Sequence, residues 1–140
     1  MPGGLRDGYF IKADAAMIFF DLTSRPSYGS VVNWYKDITR IAGSIPIILV
    51  GNKAELEPRN VLPKRITFHK RKSIHYTDLS AISNYNIEKP FLSLLQQLLG
   101  MDTYFTEMPT ISPGIDVDEE RLQMYQDIID SIPSARTKRK

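Results

Sequence analysis

The chain has 140 residues, of which 42% are hydrophobic and 24% charged, and its net charge at neutral pH is +2. This length and composition are ordinary for one soluble domain, and no apolar run approaches the ~18 residues of a membrane-spanning helix. The small net charge gives no reason to expect a nucleic-acid partner, and the absence of cysteine excludes disulfides and thiolate metal sites.

Apolar periodicity predicts an α/β arrangement over the first hundred residues. Residues 1–12 are typical of a loop that enters a short helix. Three buried strands are predicted at residues 15–22, 45–50 and 74–79, and two amphipathic helices at residues 27–42 and 88–99. Gly100 is expected to end the second helix, as glycine commonly does.

The second strand is the most informative, because its apolar run ends abruptly in Gly51, Asn52 and Lys53, with Glu55 two residues later. A run without alternation suits a strand buried on both faces of a parallel sheet, and open α/β sheets bind ligands at the carboxyl ends of such strands. Nucleotide-binding α/β domains use the spacing Asn-Lys-x-acid to read guanine. A strand that ends in a polar turn is also a common feature without function.

The remaining segments are loops, basic runs and a C-terminal helix. Residues 57–64 contain two prolines and are predicted to be a loop, and residues 66–72 suit either a helical turn or a short strand. Residues 101–115 are predicted to be a linker, and residues 116–132 a helix with an acidic start. The basic tail that follows, up to residue 140, is either a solvated end or a nuclear-localisation or nucleic-acid-binding patch. His69 and His75 lack zinc spacing, so solvent-facing or structural roles are expected for both.

Several motifs occur in the order and at the spacing of one family: GGLRDGY from Gly3, FDLTS from Phe20, Ser80-Ala81, and NYNIEKPF from Asn84. Over residues 3–100 the chain resembles the Ran family, the small GTPases of nuclear transport within the Ras superfamily. The run FHKRK from Phe68 points to that family rather than to small GTPases in general. The resemblance implies a partial P-loop G domain in residues 1–100, with strands 4 to 6 of a doubly wound, mainly parallel sheet. A C-terminal helix is appended after the linker.

The resemblance also implies a guanine site at the carboxyl edge of this sheet. Six residues in two loops would form it: Asn52, Lys53 and Glu55, and Ser80, Ala81 and Ile82. Glu55 stands where the family has aspartate, and its extra methylene places the carboxylate about one bond too far for the same bidentate contact. Ile82 stands where the family has lysine. Both departures predict weaker recognition of the base.

The 140 residues contain no G-x-x-x-x-G-K-[ST] phosphate loop, no first switch and no segment with the family's catalytic glutamine. The family uses these parts to hold GTP or GDP and Mg²⁺. Two or three hydrogen bonds to a base are worth about 1 to 3 kcal/mol each, whereas a millimolar complex requires roughly 4 kcal/mol net of immobilisation. We therefore expect nucleotide binding no better than millimolar, and we assign no catalytic residue and no metal ligand.

The partners implied by the resemblance are importin-β-type transport receptors, met in the nucleus and cytoplasm. The receptor-facing residues would be Arg6, His69, Lys70, Arg71 and Lys72. Residues 15–22 would form an apolar sheet edge, and because such edges recruit other chains, self-association is also predicted. Three functions stay open: the family's GTPase role, a non-catalytic receptor-binding module, and an incomplete or decayed gene product.

Overall fold

The computed structural model of the chain describes residues 3–100 and 117–133. Most of the predicted basic tail and the whole of the predicted linker at residues 101–115 lie outside these ranges. Within the described part, no helix is long and apolar enough to cross a membrane.

Three strands form one parallel sheet: β1 (Ala16–Asp21), β2 (Ile47–Asn52) and β3 (His75–Asp78). Their spatial order is the chain order, so β2 is the central strand. The described helices are α1 (Gly3–Phe10), α2 (Arg25–Gly29), α3 (Val31–Ala42), α4 (Phe68–Lys72), α5 (Lys89–Leu99) and α6 (Glu119–Asp130), with a 3-10 helix at Pro63–Arg65. The predicted mixed α/β fold with a parallel sheet and a C-terminal helix is confirmed.

The central strand β2 is buried on both faces, as its unbroken apolar run predicts. Ile47 and Leu49 belong to the larger core, which includes residues of α3 and α6. Ile48 and Val50 belong to a smaller core with Leu94 of α5. The sheet thus separates two apolar layers, and its carboxyl edge is left for polar side chains.

The predicted helix at residues 27–42 is wrong in one respect, because the segment forms two helices. The first starts at Arg25, since the Ser24 hydroxyl caps it by accepting a bond from the Ser27 N–H at 3.3 Å. Ser30 separates the two: its N–H and its hydroxyl both donate to the Pro26 carbonyl at 3.1 Å. The ambiguous segment 66–72 contains the helix α4, which ends at Ser73 in a left-handed conformation.

The C-terminal helix α6 is shorter than the predicted span of residues 116–132. It begins after Asp118, whose carboxylate accepts a bond from the Arg121 N–H at 3.1 Å and so caps the helix. Leu122 and Ile129 lie seven residues apart on one face, and both are fully buried in the larger core. The helix is therefore part of the folded domain.

Candidate functional site

The carboxyl edge of the sheet brings together polar residues from all three strands. Asp21 ends β1 beside Asn52 at the end of β2, and Asp78 at the end of β3 lies beside Gly51. Because the strands are parallel and in register, the loops that follow them start at a common edge. The two predicted guanine loops, after β2 and β3, are therefore neighbours.

Two hydrogen bonds link these two loops directly, and one of them runs from the Ala54 N–H to the Leu79 carbonyl at 3.1 Å. The side-chain oxygen Oδ1 of Asn52 accepts a bond from the Ala81 backbone N–H at 3.3 Å. Asn52 thus holds the second loop beside the first, and the Ala81 N–H is engaged by Asn52. Ile82, next in the chain, is 59% exposed at this edge.

Ser80 has a structural position. It is fully buried, its backbone N–H donates to the Tyr85 carbonyl at 3.1 Å, and its hydroxyl oxygen accepts a bond from the Ser83 N–H at 3.2 Å. These bonds tie the two ends of the turn together. Ser80 therefore has a structural role, because its hydrogen bonds fix the shape of the second loop.

Lys53 adopts a left-handed backbone conformation with φ of 67°, which directs its side chain back across the edge. Its ammonium Nζ lies 2.8 Å from Oδ2 of Asp21. Partial burial acts against ionisation of Asp21, but the bonds from Lys53 and Thr23 outweigh it and lower the pKa of that carboxyl. The same hydrogen bond raises the pKa of Lys53. The Lys53 side chain is thus held at the end of β1 by Asp21.

Glu55 is partly buried, and its oxygen Oε2 is enclosed without a hydrogen-bond donor among the described residues. A carboxylate oxygen removed from water is costly to leave unpaired, and an N–H donor would satisfy it. The amide and amino N–H groups of guanine are donors of this kind. Because this oxygen is enclosed, a ligand would reach it only if the side chain turned outward, and the base-reading role implied for Glu55 stays a prediction.

A buried polar network lies beneath this edge. A Cβ on Gly51 would collide with the Tyr76 hydroxyl, so only glycine fits there. That hydroxyl donates to Asp78, whose second oxygen accepts a bond from the Arg59 guanidinium at 2.6 Å. Burial and the neighbouring Asp78 carboxylate raise the pKa of Tyr76 well above its ordinary value. The guanidinium also lies over the Tyr125 ring, 4.4 Å from its centre.

The same network fastens α6 to the loop after β2. The Tyr125 hydroxyl donates to Oε1 of Glu57 at 3.0 Å, and Nε of Arg121 lies 3.3 Å from that oxygen. Sequence reasoning missed Arg59 and Asp78. Two features of the sequence could have indicated them: Asp78 is a charged residue at the end of a predicted buried strand, and Arg59 is an arginine within a predicted loop.

The basic segment Phe68–Lys72 contains both exposed and buried basic residues. Arg71 and Lys72 are exposed, and Lys70 donates to the Asp130 carbonyl of α6 at 3.3 Å. His69 is only 4% exposed and its ring lies 5.0 Å from that of Tyr76, which is the structural alternative predicted for it. Burial, with a smaller contribution from the charge of Lys70, lowers the pKa of His69 to about 4. It does not share the exposed surface of its neighbours.

The other predicted positions do not add to the site. Arg6 lies in α1, but its side chain is outside the described part of the structure. Ser93 and His75 share a hydrogen bond of 3.2 Å at the surface, and His75 lies at the start of β3, at the opposite end of the strand from the guanine loops. Among residues 3–100 and 117–133, no group of three or more His, Cys, Asp or Glu side chains could hold a metal ion. The residues implied for the guanine base thus lie together at one edge of the sheet.

The comparison with known families agrees with this geometry. A family model described as "Ras family" matches residues 3–100, which is more than half of the chain. The matched region includes the whole sheet, both candidate guanine loops and the basic helix α4. GTP or GDP and Mg²⁺ are the general ligands of that family. The chain belongs to the Ras family of small GTPases.

Proposed function

We propose that this chain is a Ran-type small GTPase that keeps a guanine-reading edge but binds GTP or GDP with no better than millimolar affinity by itself. The observation that carries the proposal is the bond from the Ala81 N–H to Asn52, which holds the second guanine loop beside the first. Support also comes from Glu55, a carboxylate at the position that the resemblance gives to the base-reading acid.

The low affinity follows from the charge of the ligand. Phosphates are normally held by backbone N–H groups, a lysine and a metal ion, and these supply most of the binding energy of a nucleotide. Lys53, the lysine of the guanine loops, is paired with Asp21 and is not held ready for a phosphate. Hydrolysis would need further groups to position water and stabilise the developing charge, and we assign none here.

Titration of the 140-residue protein with a fluorescent GDP analogue tests the affinity. A dissociation constant clearly below the millimolar range, about 100 μM or less, would contradict the proposal. The base-reading part is tested with guanosine and adenosine at millimolar concentration, followed by NMR shifts of the loop amides. Glu55→Gln should weaken any preference for guanosine, because it removes the charge and turns one of the two acceptor oxygens into an N–H donor. Glu120→Gln changes an exposed carboxylate on α6 and should leave the preference as it is.

A second candidate function is a receptor-binding module that acts without nucleotide. It is favoured by the exposed cations Arg71 and Lys72 on α4, with Lys70 beside them at the contact with α6. Acidic surfaces of importin-β-type receptors match this charge in sign, and binding through exposed charges weakens with ionic strength. This surface would act in the nucleus and cytoplasm.

A pull-down with importin-β tests this module. Binding should need no GTP, fall with added salt, and be lost when Lys70, Arg71 and Lys72 are changed to alanine together. A matched control changes Lys12, Lys36 and Lys89, three exposed lysines elsewhere on the surface. Retained binding in the first triple variant, or a requirement for GTP, would contradict this function.

A further inference from the structure

Ser73 directly follows the basic helix α4 and lies at the surface. Its backbone adopts a left-handed conformation with φ of 56°, which ends the helix. The residue is exposed, and its hydroxyl has no hydrogen-bond partner among the described residues. A hydroxyl is thus open to solvent where the basic segment ends.

Cations precede this hydroxyl and an apolar residue follows it. The three residues before Ser73 are Lys70, Arg71 and Lys72, and the next residue is Ile74. Protein kinases select their substrates partly by charge, and one class uses its own carboxylates to read basic residues two and three positions before the acceptor hydroxyl. Ser73 therefore has the sequence pattern of a substrate for a kinase of that class.

One other serine or threonine in the described part of the chain has cations at both of these positions, and it is less accessible. Thr67 follows Lys64 and Arg65 at the same spacing. It is half-buried, and its N–H donates to the Tyr28 hydroxyl at 3.0 Å, which holds its backbone against α2. Ser73 is thus the better presented of the two hydroxyls.

The end of α4 can open without unfolding the core. A kinase binds its substrate as an extended chain, so the last turn of the helix must unwind. Ser73 and Ile74 both donate their N–H groups to the His69 carbonyl, at the end of a helix of only five residues. Short helices are marginal and helix ends open readily. The residues around the hydroxyl can therefore enter an active site while Phe68 and His69 stay buried.

We propose that Ser73 is a phosphorylation site for a protein kinase that recognises basic residues, and that the phosphate blocks the basic surface of α4. The γ-phosphoryl group of ATP moves to the Ser73 hydroxyl oxygen: the new O–P bond replaces the bond to ADP, and the hydroxyl proton passes to the base of the kinase. The blocking effect rests on the receptor-binding function proposed above, whereas the site itself does not.

The phosphate reverses much of the charge on this surface. At pH 7 a phosphoserine carries about −1.5 to −2 charges, so the cluster of Lys70, Arg71 and Lys72 keeps a net charge of only about +1. An acidic partner surface also meets the phosphate itself as a like charge, which is repulsive. Binding through this surface should therefore weaken.

The groove beside Ser73 determines which cation the phosphate meets. Ser73, Lys70 and Asp130 line a common groove of about 310 Å³, whereas Arg71 and Lys72 lie against aromatic rings. In the unmodified chain Lys70 donates to the Asp130 carbonyl at 3.3 Å. A charge-assisted bond to a phosphate is stronger, so Lys70 should leave that carbonyl for the phosphate. Phosphorylation should therefore also loosen the contact between α4 and the end of α6.

Incubation of the folded 140-residue chain with ATP and the catalytic subunit of cyclic-AMP-dependent protein kinase, which prefers basic residues, tests the site. Peptide mapping by mass spectrometry should find the phosphate on Ser73. Ser73→Asn should abolish it, because asparagine tolerates the left-handed conformation and lacks a hydroxyl. Thr67→Val should leave it unchanged, and Arg71→Gln should slow the reaction at least about tenfold. An unmodified Ser73, phosphate on Thr67 instead, or an equal rate for Arg71→Gln would overturn the proposal.

Two further readouts test the effect of the phosphate. NMR shifts of the amides at the end of α6 should change on phosphorylation, and Lys70→Gln should remove most of this change because Lys70 makes the contact with Asp130. Importin-β should bind the phosphorylated chain at least about tenfold more weakly than the unmodified chain, and Ser73→Asn as well as the unmodified chain.

The outcomes separate this proposal from the receptor-binding function on which its second half rests. If the phosphorylated chain binds importin-β as tightly as the unmodified chain, the blocking effect is wrong. If the unmodified chain does not bind at all, the receptor-binding function is wrong, and peptide mapping still decides whether Ser73 is the site. Amides of α6 that do not respond to the phosphate would overturn the exchange of Lys70 from α6 to the phosphate.

Discussion

Two ion pairs sit at the same edge of the sheet, and their surroundings differ greatly. Arg59 and Asp78 are 2.6 Å apart with side chains only 2% and 1% exposed. Lys53 and Asp21 are 2.8 Å apart with side chains 48% and 26% exposed. Each pair joins a strand end to the loop after β2, so burial rather than geometry distinguishes them.

This difference separates a structural role from a binding role. A buried pair has lost its hydration, so removing one partner leaves an unpaired charge in the core and strongly lowers the stability. An exposed pair keeps most of its hydration and contributes little to stability. The Arg59–Asp78 pair therefore stabilises the fold beneath the carboxyl edge of the sheet. Lys53, in contrast, can leave Asp21 and bind another anion.

The largest expected effect comes from breaking the buried pair. Arg59→Met should lower the free energy of unfolding by about 3 to 5 kcal/mol, because it leaves the Asp78 carboxylate buried without its counter-charge. The variant also loses the contact of the guanidinium with the Tyr125 ring. Urea unfolding followed by circular dichroism measures the loss.

A double variant separates the two causes. Adding Asp78→Asn to Arg59→Met removes the unpaired charge, so it should recover part of the stability even though it is a second substitution in the core. A cost below about 1 kcal/mol for Arg59→Met, or no recovery in the double variant, would mean that the pair is not a structural support.

The second prediction concerns His69, on which burial acts more strongly than the charges of Lys70 and Asp130. Burial lowers the pKa of His69 to about 4 from an ordinary value of 6.5. The unfolded chain therefore binds a proton more readily than the folded one, and stability should fall as the pH drops from 6.5 toward 4. The slope for one proton is at most about 1.4 kcal/mol per pH unit.

The measurement is the urea midpoint at several pH values between 4 and 7. His69→Phe keeps an aromatic ring beside Tyr76 and removes the titration, so its stability should vary less over this range. His75→Phe changes an exposed histidine and should follow the pH dependence of the unmodified chain. Equal slopes for all three proteins would show that His69 is not the group responsible.

Much of the fold could be predicted from the sequence, because each strand is a local apolar run. The β2 run ending in Gly51 and Asn52 was sufficient to predict a buried strand with a polar carboxyl end. The break at Ser30 was missed because the apolar spacing continues through it, while capping bonds from Ser24 decide the boundary. Such bonds depend on local polar geometry that periodicity does not record.

The site was harder to predict, because its contacts join residues distant in sequence. The bond between Asn52 and Ala81 spans 29 positions, and that between Lys53 and Asp21 spans 32. Parallel register makes the second of these derivable, since Asp21 lies opposite Asn52. The burial of His69 could not be derived, because it depends on which face of a short helix meets the sheet.

The smallest expected effect comes from breaking the exposed pair. Asp21→Asn removes the charge that Lys53 faces, while the new side chain can still accept the bonds that Thr23 donates at 2.8 and 2.6 Å. Its effect on the urea midpoint should be several times smaller than that of Arg59→Met, and it should vanish at high salt because the pair is exposed. The pKa of Asp21 is lowered in the folded chain, so any contribution of the pair is present at neutral pH and is lost only as the pH falls through that lowered value. At neutral pH the variant leaves Lys53 without its carboxylate partner, so binding of inorganic pyrophosphate to this edge should increase, as followed by NMR shifts of the loop amides. A loss of stability as large as that of Arg59→Met, or pyrophosphate binding equal to that of the unmodified chain, would contradict the distinction between the two pairs.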